Sequence, residues 1–167
     1  MRTIAELMQI LPQTGTIRWM GLSSARRSSI VAVEEVLAIE GYGLEGDHHA
    51  KRRPDTKRQV TLIQAEHLVA VAGLMQIERL DPALVRRNLV VSGINLLALK
   101  GQTFQVGDAI FEGTGSCDPC SRMEENLGPG GYNAMRGHGG LTAKVRTGGK
   151  IRLGDEVRLL QTGDLMP

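Results

Sequence analysis

The apolar residues of this chain come in short runs, and most of the runs stop at or near a glycine. Ile30–Ile39, Gln59–Ile63, Asn88–Val91, Thr103–Val106, Ala109–Gly113, Ile151–Leu153 and Glu156–Leu160 are rich in β-branched or aliphatic residues. The longest uncharged apolar stretch, Asn88–Leu99, is a dozen residues, short of the roughly 18 that a membrane-spanning helix needs. Runs this short, bounded by turn formers, predict strands rather than long helices. Apolar residues make up 41% of the 167 and charged residues 23%, enough to bury a core; with only 3% aromatic, that core is built from Val, Leu, Ile, Ala and Met. The net charge of +2 is too mild to make nucleic acid the main partner. The start, Met1–Glu6, carries an early acid and no apolar run, which does not fit a signal peptide. Two cysteines three positions apart make no disulfide framework. The expectation is one soluble cytoplasmic domain over 1–167, with its core at about 15–160.

Along the chain, Thr3 and Glu6 have the spacing of a capping box, and Leu7, Ile10 and Leu11 form an apolar stripe, predicting a short helix over 3–11. A strand is expected at Thr16–Ser23, another along the whole of Ile30–Ile39, and another at Gln59–Ile63. Leu68, Val71, Ala72 and Met75 share a helical face, so Gln64–Leu74 reads as a helix. Asp81-Pro82 starts a short helix running to Arg86-Arg87, and Asn88–Val91 turns back into a strand. Gly107-Asp108 and Gly154-Asp155 each sit between two strand-like runs and read as two copies of one turn device. The fold class is mainly β and barrel-like, with short helices that bring it to the margin of α+β. Gly128–Gly140 reads as a long polar loop of the kind that carries function.

Four places could carry chemistry. Cys117-Asp118-Pro119-Cys120 offers thiols as nucleophile, redox pair or metal ligand, or as small buried apolar groups. A zinc site would need these cysteines plus histidines from elsewhere. Gly46-Asp47-His48-His49 is either an acid–base or metal cluster or a turn in which Asp47 caps backbone amides; turn chemistry favours the cap. Arg86-Arg87-Asn88 has the forks and amide that suit a phosphate or a heterocycle edge, although arginines also complement a helix end. The glycines of Gly128–Gly140 could wrap a phosphate with bare amides, with Lys144 and Arg146 facing the same anion. Neither a G-x-S-x-G elbow nor an H-E-x-x-H helix nor a P-loop is present.

In order, Gly43-Leu44-Glu45-Gly46-Asp47-His48, Gln59–Ile63, Arg86–Gly93, the Cys120 loop and Gly154–Val157 resemble the MOSC domain, named for the C-terminal part of molybdenum cofactor sulfurases. The resemblance covers about Gly15 to Leu160. It implies a β-rich, barrel-like fold and a role with the molybdenum cofactor (molybdopterin). In relatives that carry the cofactor one cysteine thiolate binds the metal; Cys120 matches that cysteine, and Arg86 and Asn88 match residues that contact the cofactor. The Gly43–Asp47 turn is given only a shaping role. The implied activity is reduction of small N-hydroxylated compounds by a Cys-ligated molybdenum, with electrons from an external redox protein. The alternative is a non-redox carrier of persulfide sulfur or of cofactor, fed by an external donor. No pyridoxal-phosphate desulfurase domain and no ferredoxin-type cysteine set accompanies the resemblance, so sulfur or electrons are expected from outside. Neither nucleic acid nor membrane is an expected partner.

Overall fold

A computed structural model describes residues 1–165. In chain order it has α1 (Ile4–Met8), β1 (Gly15–Leu22), β2 (Val31–Ala32), β3 (Glu35–Ile39), β4 (Gly43–Leu44), β5 (Val60–Gln64), α2 (Ala65–Leu74), β6 (Leu89–Ser92), β7 (Thr103–Val106), β8 (Ala109–Ser116), α3 (Ser121–Leu127), α4 (Gly131–Met135), β9 (Leu141–Thr147), β10 (Gly149–Arg152) and β11 (Glu156–Leu159). Single tight helical turns stand at His48–Lys51, Pro82–Val85, Leu96–Leu99 and Thr162–Leu165.

Seven strands close into a barrel in the order β11-β7-β8-β9-β5-β6-β1, with β1 returning to β11. Closure leaves no unpaired edge around the ring, which suits a chain whose strands are this short. The fold is therefore mainly β with short helices, as the runs and turns predict. One pair in the ring, β5 and β6, runs parallel, and the chain crosses between them through α2. That pairing explains a feature of the sequence. Strands covered on both faces read as continuous apolar runs, whereas half-covered antiparallel strands alternate. Val60–Gln64 is buried throughout, and Leu89, Val90 and Val91 are all buried, while β7 alternates. Leu62, Leu89 and Val91 point into the barrel core, and Ile63 and Val90 point outward to a second cluster with Leu68, Val71, Val85, Met123 and Met135. Helices α2, α3 and α4 thus pack on one flank of the barrel, and this flank positions the site.

Several expectations change in detail. The capping box of α1 forms, with Glu6 N–H donating to Thr3 Oγ1, but Leu7 and Ile10 stay exposed and Leu11 alone packs on the core. Ile30–Ile39 is two strands in two sheets: β2 extends β1, and β3 pairs with β10 and β4 in a separate three-stranded sheet. The reason is parity. Val33 packs on the core, as do Val36 and Ala38; odd and even positions cannot face one way along an unbroken strand, so the chain breaks between them. Gly107-Asp108 joins the β7–β8 hairpin, but β10 and β11 do not pair, and Gly154-Asp155 is the crossing from the small sheet back to the barrel. The helix expected to run into Arg86-Arg87 stops at Val85, because Arg86 takes the left-handed conformation at φ +56°. Gly128–Gly140 contains α4 and is not one long loop. Among the described residues no helix is long and apolar enough to cross a membrane.

Candidate active site

The segment entering β6 builds the floor of the site. Asp81 caps the Pro82–Val85 turn by accepting from Ala83 N–H at 2.9 Å, and Arg86 then reverses the chain. Arg87 and Asn88 follow, both 3% exposed. The Arg87 guanidinium donates to three backbone carbonyls, those of Val85 (2.7 Å), Gly139 (2.7 Å) and Cys117 (3.1 Å). Burial pulls its pKa down, but a guanidinium stays charged in proteins, so a cation held only by carbonyl dipoles lies under the site.

Asn88 spends its whole amide inside the protein. Its Oδ1 accepts from Thr61 N–H (3.0 Å) and Thr61 Oγ1 (3.1 Å), and its Nδ2 donates to the Gly21 carbonyl (3.1 Å) and to Asp47 Oδ2 (3.0 Å). Two acceptor and two donor positions are all that an amide offers. Asn88 therefore holds other groups in place.

Asp47 is the chief of these groups and is 1% exposed. It does cap a turn, as its setting predicts: it accepts from Ser23 N–H at 3.0 Å and His49 N–H at 3.0 Å. It does more, because His49 Nδ1 lies 2.7 Å from Asp47 Oδ1. Burial works against its ionisation. The bonds from the His49 ring, from Ser23 N–H and from His49 N–H outweigh that cost and lower the pKa from 3.8 to about 2. His48 stacks beside His49, with ring centroids 4.0 Å apart. Burial and the neighbouring His49 push the His48 pKa down.

The two cysteines differ. Cys117 is buried, and its N–H donates to the Gly140 carbonyl at 2.8 Å. Cys120 is exposed and opens α3. Asp47, His48, His49, Arg86, Asn88 and Cys120 line one cavity of about 250 Å³. The three residues singled out by resemblance thus meet at one place. Among the described residues Asp47, His48 and His49 form the one cluster with metal-ligand spacing, and no cysteine belongs to it; a zinc site built on Cys117 and Cys120 has no support here.

The glycine-rich segment does not belong to this cavity. Gly139 and Gly140 press against the carbonyls of Cys117 and Leu62, where a Cβ would collide; they are glycines because backbones meet there. Arg146 does not face an anion site either, since it pairs with Glu112. The sequence reading missed the cavity's arginine wall, made by Arg26, Arg27, Arg52, Arg58 and Arg122. Its only visible signals were Arg26-Arg27 set among serines and the basic stretch Ala50–Arg58, which looks like an ordinary solvated loop.

The MOSC domain profile matches residues 45–158, more than half of the chain and inclusive of every segment that builds the site apart from the Ser23–Ile30 turn. The chain belongs to the MOSC domain family. That family is associated with the molybdenum cofactor. Among solved structures, the MOSC barrel described here is similar to the YuaD protein of Bacillus subtilis, with a TM-score of 0.75 and 19% identity over 89% of this chain and 97% of that one. It is also similar to YiiM of Escherichia coli (TM-score 0.66, 19% identity, 87% and 70% covered) and YiiM of Geobacillus stearothermophilus (0.69, 16%, 90% and 78%). At these identities the likeness establishes the fold. No curated protein sequence matches.

Proposed function

We propose that this MOSC chain binds the molybdenum cofactor and reduces small N-hydroxylated compounds in the cytoplasm, with electrons delivered by an external redox protein. The observation that carries this reading is that an exposed free thiol, Cys120, and the Arg86 guanidinium are walls of one cavity in a member of this family. The donor set fits the group. A thiolate is the soft ligand that suits molybdenum, and planar guanidinium forks suit a pterin's phosphate. The Asp47–His48–His49 cluster does not compete for the metal, because the Asp47 oxygens already hold four hydrogen bonds.

Cys120 is the residue that would hold the metal, and Arg86 the residue that would hold the phosphate, together with Arg122. Arg86 and Arg122 are close enough that, after burial, Arg122 is the next largest influence lowering the Arg86 pKa. Asn88 contributes by fixing Asp47. Bound there, the cofactor supplies two-electron reduction of an N–O bond. An N-hydroxylated amine takes up two electrons and two protons to give the amine and water, so the protein must supply protons. His49 is suited to that task. With Nδ1–H turned to Asp47, its Nε2 is the atom left to hold and pass a proton, on a side chain that lines the cavity.

The test is oxidation of dithionite-reduced viologen by the cofactor-loaded protein on addition of a hydroxylamine or an amidoxime. A fully loaded protein that leaves the viologen reduced points to the second reading, a carrier of persulfide sulfur or of cofactor. The exposure of Cys120 favours that alternative, because a persulfide must be reached by its recipient.

A further inference from the structure

Seven arginines line the Cys120 cavity and face one carboxylate, Asp47. The whole chain carries only +2, so the remainder of the molecule is net acidic and the positive charge is concentrated here. Two of the seven have partners inside the protein. Arg87 is held by three carbonyls, and Arg86 donates to the Ser28 carbonyl at 2.6 Å and to Ser23 Oγ at 3.2 Å. The side chains of Arg26, Arg27, Arg52, Arg58 and Arg122 meet no acid and no acceptor among the described residues. Arginines elsewhere do pair: Arg146 with Glu112, Arg152 with Glu35 and Asp108, Arg158 with Glu156 and Asp164.

The wall that carries Arg26, Arg27 and Arg52 is built rather than loose. Ser28 N–H and Ser23 Oγ both donate to the Ala25 carbonyl (3.1 and 2.8 Å), and Ala25 N–H donates to Ser28 Oγ (3.1 Å). Lys51 Nζ ties the Ser23–Ser28 turn to the His48–Arg52 segment through the Ser24 carbonyl at 2.8 Å. Within this turn Arg27 sits at φ +73°. Four residues other than glycine have positive φ, and two of them, Arg27 and Arg86, are arginines of this one cavity. Backbone held in a costly conformation collects where function needs a side chain aimed.

A phosphomonoester carries up to two negative charges and pairs well with one or two guanidinium forks. One phosphate on Arg86 and Arg122 leaves Arg26, Arg27, Arg52 and Arg58 uncompensated. We propose that the cavity takes a second organic phosphate, recognised by Arg26, Arg27 and Arg52, in addition to that of the pterin. This rests on the cofactor reading above. The second phosphate comes either from a nucleotide-extended cofactor or from an N-hydroxylated substrate that is itself phosphorylated, such as a nucleotide.

The experiment starts from the full chain loaded with cofactor, its molybdenum content measured first, so that failure of the cofactor reading registers separately. Release of a nucleotide along with the cofactor on denaturation supports the proposal with the cofactor as source. If none is released, equilibrium dialysis compares N-hydroxycytidine with its 5′-monophosphate. Binding of the monophosphate about tenfold tighter, with the advantage lost in the Arg26→Gln/Arg27→Gln double variant and the nucleoside's binding unchanged, supports it with the substrate as source. Equal affinity for the two compounds overturns it. If the chain takes up no molybdenum, titration with inorganic pyrophosphate decides. Binding weakened by the double variant supports the second-phosphate site, and no binding, or binding indifferent to the variant, overturns it.

Discussion

Arg87 donates from Nη2 to the carbonyl of Cys117 at 3.1 Å, and through that contact the residue two places before β6 holds the segment that presents Cys120. The same guanidinium grips Val85 on its own turn and Gly139 after α4. Three parts of the chain that are remote in sequence are fixed to one another by a single buried cation.

Replacing Arg87 with Met fills much of the same volume but leaves three buried carbonyls without donors. Each such loss costs on the order of 1 kcal/mol or more, so Arg87→Met should lower stability by about 3 kcal/mol in urea unfolding at neutral pH. A change within about 0.5 kcal/mol contradicts the role given to Arg87.

Asp47 sets a pH dependence. Its carboxyl ionises at about 2 in the folded chain against an ordinary 3.8. A group with a depressed folded pKa stabilises the fold while it is ionised, so the contribution is present above about pH 4 and is lost as pH falls through about 2. The shift corresponds to about 2 kcal/mol. Unfolding free energies measured between about pH 5 and pH 2 should fall by about 2 kcal/mol more for the unaltered chain than for Asp47→Asn. Parallel pH profiles would show that Asp47 is not held as described.

The glycines between α3 and β9 divide by cause. Gly140 combines φ +94° with a Cβ position that collides with the Leu62 carbonyl, whereas Gly128 has φ +87° and open space around it. Gly140→Ala should cost about 3 kcal/mol or more, and Gly128→Ala about 1 kcal/mol. Similar small losses at both positions would mean that the backbones do not meet as closely as described.

Much of the fold was legible in the sequence because its cause is local. Short apolar runs ended by glycine marked the strands, and the unbroken Val60–Ile63 and Leu89–Val91 runs carry the stamp of a doubly covered parallel pair. The split of Ile30–Ile39 was not legible, since both halves are β-forming and only the core decides which parity points inward. Nor could the turn at Gly154-Asp155 reveal whether its flanking strands pair with each other. Cys120, Arg86 and Asn88 were readable as candidates from the order of short motifs, and all three do line one cavity. The saturation of Asn88 was hidden, because its partners Gly21, Asp47 and Thr61 come from three distant segments. The arginine wall was hidden for the same reason: Arg26, Arg52 and Arg122 are neighbours only after the barrel closes.

His49 gives a kinetic prediction. If it delivers a proton during N–O cleavage, His49→Gln should lower turnover in the viologen assay about a hundredfold, in the range usual for loss of a general acid, while molybdenum content stays as in the unaltered chain. Turnover within about twofold of the unaltered chain would remove His49 from the reaction.

The central claim is that one sulfur holds the metal, and metal analysis tests it most directly. The chain and two variants, Cys120→Ala and Cys117→Ala, are expressed with molybdate and assayed for molybdenum and zinc per chain. The account predicts about one molybdenum per chain in the unaltered protein, none with Cys120→Ala, and most of it kept with Cys117→Ala. Molybdenum that survives loss of Cys120, or zinc in its place, contradicts it.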